Sequence, residues 1–172
     1  MAEDEASLYL QATLQAVWHW RGETPVVKLD PGRDCVHFYG SLNLLTGEEI
    51  VTCATVMKAE TTALHLQQVL AANPDKPVLL LLDKASWHFG PAIDAVLTAN
   101  PRLELMYFPT AAPDLNPQEH VWKAARDNVS HNHLTAKLSQ LATDFETYLK
   151  STRFASPLLA HHDYQRICAM FK

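Results

Sequence analysis

LLLLDKASWH, residues 79–88, carries the reading that decides the fold. Pro77 to Leu82 is the most apolar segment of the chain, and it runs straight into a carboxylate, Asp83. A short unbroken apolar run reads as a buried central strand. Ligands and catalytic groups of α/β sheets collect just beyond such strand ends, which makes Asp83 a candidate. The bland alternative is an Asp that caps the following turn. Side chains alternate along a strand, so Lys84 should point away from whatever Asp83 faces.

The second informative stretch is PDLNPQEHVW, residues 113–122. Asn116 is a good N-cap, Pro117 suits the first helical position, and Glu119 then falls where the acid of a capping box sits. Glu119 either bonds back to the Asn116 backbone or is free to act as a ligand. Thirty-five residues separate Asp83 from Glu119, enough for one strand–helix–strand–helix passage. Two carboxylates brought to one point from a strand end and a helix start form a candidate metal site.

Working outward, Ser7 to Leu10 alternates weakly and residues 5–29 look extended, with turn signals at Arg21-Gly22, Thr24-Pro25 and Pro31-Gly32. Cys35 to Leu45 reads as a strand, Thr46 to Glu49 as a hairpin turn, and Ile50 to Val56 as the partner strand. The pattern then changes. Thr61 to Ala72 is helical with Leu64, Gln68, Ala71, Val69 and Leu70 as its apolar side, and Asn73-Pro74 ends it. Gly90 to Ala99 is a short helix, Leu103 to Phe108 a strand, and Ala111 to Leu115 a loop. A helix runs from Asn116-Pro117 to about Asn128, another covers residues 136–150, and a last one covers 156–172. Three antiparallel strands followed by alternating helices and strands is the order of an α/β ribonuclease H-like mixed sheet flanked by helices. The first acidic cluster stands so near the first residue that the first strand is expected to be short.

The bulk composition fits one domain. The chain has 172 residues and is 48% hydrophobic and 19% charged, which supports a packed core and argues against disorder. No apolar run is long enough to span a bilayer, and MAEDEASLYLQ has neither a basic nor an apolar region of a secretory signal. Cys35, Cys53 and Cys168 are few, odd in number and far apart, so a disulfide framework is not expected and a reducing cytoplasm is. A net charge of −5 argues against a surface that grips nucleic acid all over, and leaves room for local basic patches.

Asp4, between Glu3 and Glu5, completes a trio with Asp83 and Glu119 if the fold places it beside the Asp83 strand. Three carboxylates suit two hard divalent ions, which can activate a water and stabilise a leaving oxygen in phosphodiester hydrolysis. Glu119, Lys123 and Arg126 share one side of their helix. That stripe is either an exposed salt bridge or a metal ligand with two phosphate-contacting cations beside it. Trp87 and His88 are candidate DNA contacts: Trp87 could stack on an unpaired base, and His88 could line the cleft, while packing roles serve equally well. Neither His131-x-His133 nor His161-His162 makes a zinc motif. G-x-S-x-G, the P-loop and G-x-G-x-x-G are all missing.

These residues resemble the DDE-type transposases of bacterial insertion sequences, in the Tc/mariner-like superfamily. FPTAAPDLNPQEHVW, residues 108–122, is similar to the family's signature around its last acid; LLLLDKASWH resembles the strand bearing the second; DEASLYL resembles the Asp-Glu motif of the first. Trp18, Arg21-Gly22 and Thr24-Pro25 are similar to the segment that follows, and Val36 to Gly47 to the next hairpin. Lys84 stands where many relatives have Asn. The resemblance implies catalytic acids at Asp4, Asp83 and Glu119 holding two Mg²⁺ or Mn²⁺ ions. It also implies cleavage and strand transfer in DNA transposition, transposon-end and target DNA as partners, and a homodimer in the active complex. It implies a prokaryotic cytoplasmic, nucleoid-associated setting with no membrane. Residues 1–172 then make a single catalytic domain, with the family's N-terminal helix-turn-helix domain absent. The alternatives are a catalytically silent transposase remnant acting as a dimerisation or regulatory module, or another ribonuclease H-like nuclease.

Overall fold

The computed structural model describes residues 1–16, 19–24, 26, 33–109 and 115–155. Five strands form one mixed sheet, β1 Ala2–Tyr9, β2 Cys35–Leu42, β3 Glu49–Ala54, β4 Val78–Leu82 and β5 Leu103–Tyr107, in the order β3-β2-β1-β4-β5. The first three pair antiparallel and β4 joins β1 in parallel, followed by β5. Helices α1 Ala59–Ala72 and α2 Pro91–Ala99 pack on one face; α3 Gln118–Ala125 and α4 Leu138–Ser151 pack on the other. This is the ribonuclease H-like mixed sheet expected from the order of elements.

β1 is the middle strand and takes both cores. Ala6 and Leu8 pack with Phe38, Trp122, Leu141 and Phe145 under α3 and α4. Glu3 and Glu5, one position out of phase, therefore face the α1 and α2 side. The strand is eight residues long and not cut short, and Met1 extends its pairing, donating to Leu79 O (2.7 Å) and accepting from Leu81 N–H (2.9 Å). Past Tyr9 the expected extended stretch becomes irregular, with a turn at Arg21-Gly22 where Gly22 adopts φ +95°. Trp18, Pro25 and Pro31-Gly32 lie outside the described residues.

β2 stops at Leu42 and not at Leu45, because Asn43 turns the chain: its Oδ1 accepts from the N–H groups of Leu45 (3.0 Å) and Thr46 (3.2 Å). The expected apolar side of α1 is also corrected. Leu64, Gln68 and Ala71 are exposed, and Thr62, His65, Leu66, Val69 and Leu70 face the sheet. A stripe at i, i+3, i+4 and i+7 drawn from Thr62 fits the helix period, and it includes a histidine that a purely apolar reading leaves out. After α3 the chain makes a π-helical turn over Arg126–Ser130 before α4. The helix expected over 156–172, Cys168 and His161-His162 lie outside the described residues; Cys35 and Cys53 are free thiols.

Candidate active site

Three elements bring the three acids of the sequence reading to one end of the sheet. Ala2 pairs with Leu81, and continuing that parallel register by two residues sets Asp4 abreast of Asp83. Asp4 lies on the α3 side, where its Oδ2 accepts from Trp122 Nε1–H (3.0 Å). Burial pushes the Asp4 carboxyl up to about 7, with the charges of Glu119 and Glu5 adding to the effect and the Trp122 and Glu5 hydrogen bonds opposing it. Glu119 stands in the first turn of α3, one turn before Trp122. Neither bland role expected for it is realised. Asn116 Oδ1 accepts from Gln118 N–H (3.1 Å), the start of α3 carries no capping bond from Glu119, and Lys123 pairs with Asp127 (2.5 Å) instead. Among the described residues no lysine or arginine forms an ion pair with Asp4, Asp83 or Glu119.

Asp83 follows the last residue of β4 and its side chain is 56% exposed. Its Oδ1 accepts from Ala85 N–H (2.8 Å), so it does cap the following turn, and His88 Nδ1 lies 3.0 Å from the same oxygen. His88 is buried in a 3-10 turn, Ser86–His88. Its Nε2 reaches Glu5 Oε1 (2.9 Å), which also accepts from Trp87 Nε1–H (2.6 Å). His88 is thus turned inward with no face open to DNA, and the Trp87 indole nitrogen is committed to Glu5. Lys123 is exposed, and Arg126, at the end of α3, is half-buried. Lys84 is exposed.

A family model described as DDE superfamily endonuclease matches residues 2–142. The chain belongs to this family. A curated relative, the insertion element IS630 uncharacterized 39 kDa protein of Shigella sonnei, is 25% identical over 152 residues, 87% of the chain and 44% of the relative. An uncharacterized protein of Sinorhizobium fredii is 35% identical over 80 residues, 46% of the chain and 56% of that protein. The chain spans about half the length of these relatives. Among solved structures, the Mos1 mariner paired-end complex with Mn superposes at TM-score 0.65 with 14% identity, covering 88% of this chain and 48% of that one. The catalytic domain of Mos1 mariner transposase superposes at 0.60 with 12% identity, covering 88% and 69%. At those identities the likeness establishes the shared fold.

In this member of the DDE superfamily endonuclease family several residues of the site region had no signal in the sequence. Glu49, at the start of β3, reads as part of a surface turn, yet it is buried and accepts from Gln118 Nε2–H (2.5 Å). Burial pushes its carboxyl well up, partly offset by that bond. Asn116 Nδ2–H donates to Glu3 O (3.2 Å), tying the chain ahead of α3 to β1. Among the described residues, the one group of three potential ligand side chains whose atoms all lie within 4.8 Å is Glu3, Glu5 and His88, not the predicted trio. Glu3 is 1% exposed; neither carboxylate oxygen has a hydrogen bond, and Oε2 lies 3.4 Å from His88 Nε2. Burial, then the neighbouring carboxylates, push its carboxyl well up, which favours the neutral form over a cation ligand. Both His88 nitrogens face oxygens, an arrangement that suits the imidazolium, which has no lone pair for a metal.

Proposed function

We propose that this chain is the catalytic domain of a DDE transposase, with Asp4, Asp83 and Glu119 as the acids that hold two Mg²⁺ or Mn²⁺ ions. The observation that supports the reading is the placement of those acids on β1, the end of β4 and the start of α3, with no described lysine or arginine paired to them and His88 beside Asp83 alone. The donor set fits such ions. Carboxylate oxygens are the hard ligands that Mg²⁺ and Mn²⁺ prefer. Asp4 is held charged only at an electrostatic cost, which a bound cation would remove. Solved structures of Mos1 paired-end complexes with Mn and with Mg support the choice of metal.

Bound there, such ions supply an activated water or 3′-hydroxyl and stabilise the leaving oxygen of a phosphodiester. The chain's own residues do the positioning. Trp122 fixes the Asp4 carboxylate by one hydrogen bond, and the Asn116 and Gln118 contacts seat the first turn of α3, which carries Glu119. Lys123 and Arg126 follow Glu119 along α3 and are assigned to phosphate contacts. Exchanging Asp127 for a phosphate is a small cost for a solvent-exposed ion pair such as Lys123–Asp127.

The substrates in this reading are transposon-end and target DNA, and the active complex is a homodimer. Mos1 structures titled as complexes with a left transposon end, and as a strand transfer complex, support the DNA class. No described helix is long and apolar enough to cross a membrane, and the reading places the protein in a prokaryotic cytoplasm with the nucleoid. The test is a cleavage assay with Mg²⁺ or Mn²⁺ on DNA carrying the element's terminal repeat, with an RNA–DNA hybrid alongside. Cleavage of the repeat DNA, lost in Asp83→Asn and Glu119→Gln, supports the transposase. Preference for the hybrid points to another ribonuclease H-like nuclease, and inactivity of a folded chain on both, with the metal present, points to a silent remnant.

A further inference from the structure

Asp83 poses a physical problem. It stands beyond the end of β4, more than half exposed, held locally by one bond from Ala85 N–H to its Oδ1, yet a metal ligand must be held within a fraction of an ångström. The structure supplies a brace from the opposite side of the sheet. His88 Nδ1 hydrogen-bonds the Asp83 backbone O at 3.1 Å and lies 3.0 Å from its Oδ1, within ion-pair distance of the carboxylate. The other nitrogen, Nε2, lies 2.9 Å from Glu5 Oε1 and 3.4 Å from Glu3 Oε2, and Trp87 Nε1–H donates to Glu5 Oε1. The His88 ring is 1% exposed and the Glu5 side chain 4%, so water does not compete for these bonds.

Glu5 is the residue after Asp4 on a central strand. The two side chains leave β1 on opposite faces, Asp4 toward Trp122 and α3, Glu5 toward His88. We propose that Glu5, acting through His88 and braced by Trp87, is a positioning residue that fixes the Asp83 carboxylate relative to Asp4. One strand then places one acid directly and the other through a buried ring. The inference rests on Asp83 being a metal ligand. Hydrogen bonds to ligating side chains from the groups behind them typically change metal affinity 10–100-fold when removed.

The experiment is calorimetric titration of Mn²⁺ into metal-free protein. The set is wild type, Glu5→Ala, His88→Ala, the double variant, Glu5→Gln and Asp83→Asn, each shown folded by circular dichroism at the working temperature. Asp83→Asn abolishes binding. Glu5→Ala and His88→Ala each weaken it about 10–100-fold, and the double variant is no weaker than the worse single, because both act through one path. Glu5→Gln keeps an oxygen that accepts from Trp87 and His88 and restores most of the affinity, which a generic loss of stability does not predict. Wild-type affinity in folded Glu5→Ala and His88→Ala overturns the proposal, as does simple additivity. Wild-type affinity in Asp83→Asn overturns the reading of Asp83 itself, and the brace with it. Residual binding in Asp83→Asn that His88→Ala removes makes the Glu5–His88 group a cation site and also overturns it. Should the alanine variants fail to fold, His88→Gln, which reaches only one of its two partners, must still bind about tenfold more weakly; unchanged affinity there rejects the brace.

Discussion

Glu119 has no bond to lose. It is exposed, it caps nothing, and the lysine one turn on is paired elsewhere. Replacing it with Gln should leave thermal stability within about 0.5 kcal/mol of wild type, the ordinary range for surface changes. Mn²⁺ binding and DNA cleavage should nevertheless be lost. Loss of stability in Glu119→Gln would show a structural role that the geometry denies. Asp4 is the opposite case, being buried and charged at a cost. Asn at that position keeps an oxygen for the Trp122 indole and removes the charge. Metal-free Asp4→Asn should therefore be more stable than wild type at pH 8, by roughly 1–3 kcal/mol, while binding no Mn²⁺. Chemical denaturation of the two metal-free proteins decides it, and equal midpoints would mean that Asp4 carries no such burden.

Helix α3 carries Glu119, and three contacts seat it against the sheet: Asn116 on Glu3 O, Gln118 on Glu49 and Trp122 on Asp4. The seat is close because β2 has a glycine beneath it. A Cβ on Gly40 would overlap Gln118 Nε2, Glu49 Oε1 and the Trp122 ring. Gly40→Ala should cost about 1–3 kcal/mol by overpacking and, by displacing the start of α3, should weaken Mn²⁺ binding as well. A variant that loses stability but binds Mn²⁺ as wild type would show that α3 adjusts without moving Glu119. Much of this architecture is legible in the residue order. The run ending at Leu82 reads as a strand and is one, although only Val78, Leu80 and Leu82 are buried and Leu79 is 43% exposed; Asn116-Pro117 marks the helix start to within a residue, α3 beginning at Gln118. The partnerships are not legible. Glu5 and His88 are 83 positions apart, and Gln118 and Glu49 are 69 apart, so only the sheet order brings them together. Periodicity shows that one side of α1 is buried; it does not show that a histidine on that side will find Ser41 and Thr52 hydroxyls opposite it.

The molecule as a whole places three consecutive acids, Glu3, Asp4 and Glu5, in its central strand, between two apolar cores. Burial works against the charge of Glu3 and Asp4, and the consequence is a definite coupling of stability, pH and metal. The Asp4 carboxyl is raised from 3.8 to about 7 in the folded protein. A group with a raised folded value contributes stability that is full below its unfolded value and is lost as the pH rises through the folded one. Metal-free protein should thus lose stability between about pH 4 and pH 7, with Glu3 and Glu49, both raised by burial, acting in the same direction. Cation binding requires the ionised carboxylate and so has the opposite dependence. Mg²⁺ at 100 times its Kd should stabilise by about 2.7 kcal/mol at pH 8 and by very little at pH 5, where the proton holds Asp4 instead. Thermal melts at pH 5 and pH 8, with and without Mg²⁺, measure all four corners of this cycle. The pH 8 increment should vanish in Asp4→Asn. An increment that persists there, or one equal at the two pH values, would place the cation away from Asp4.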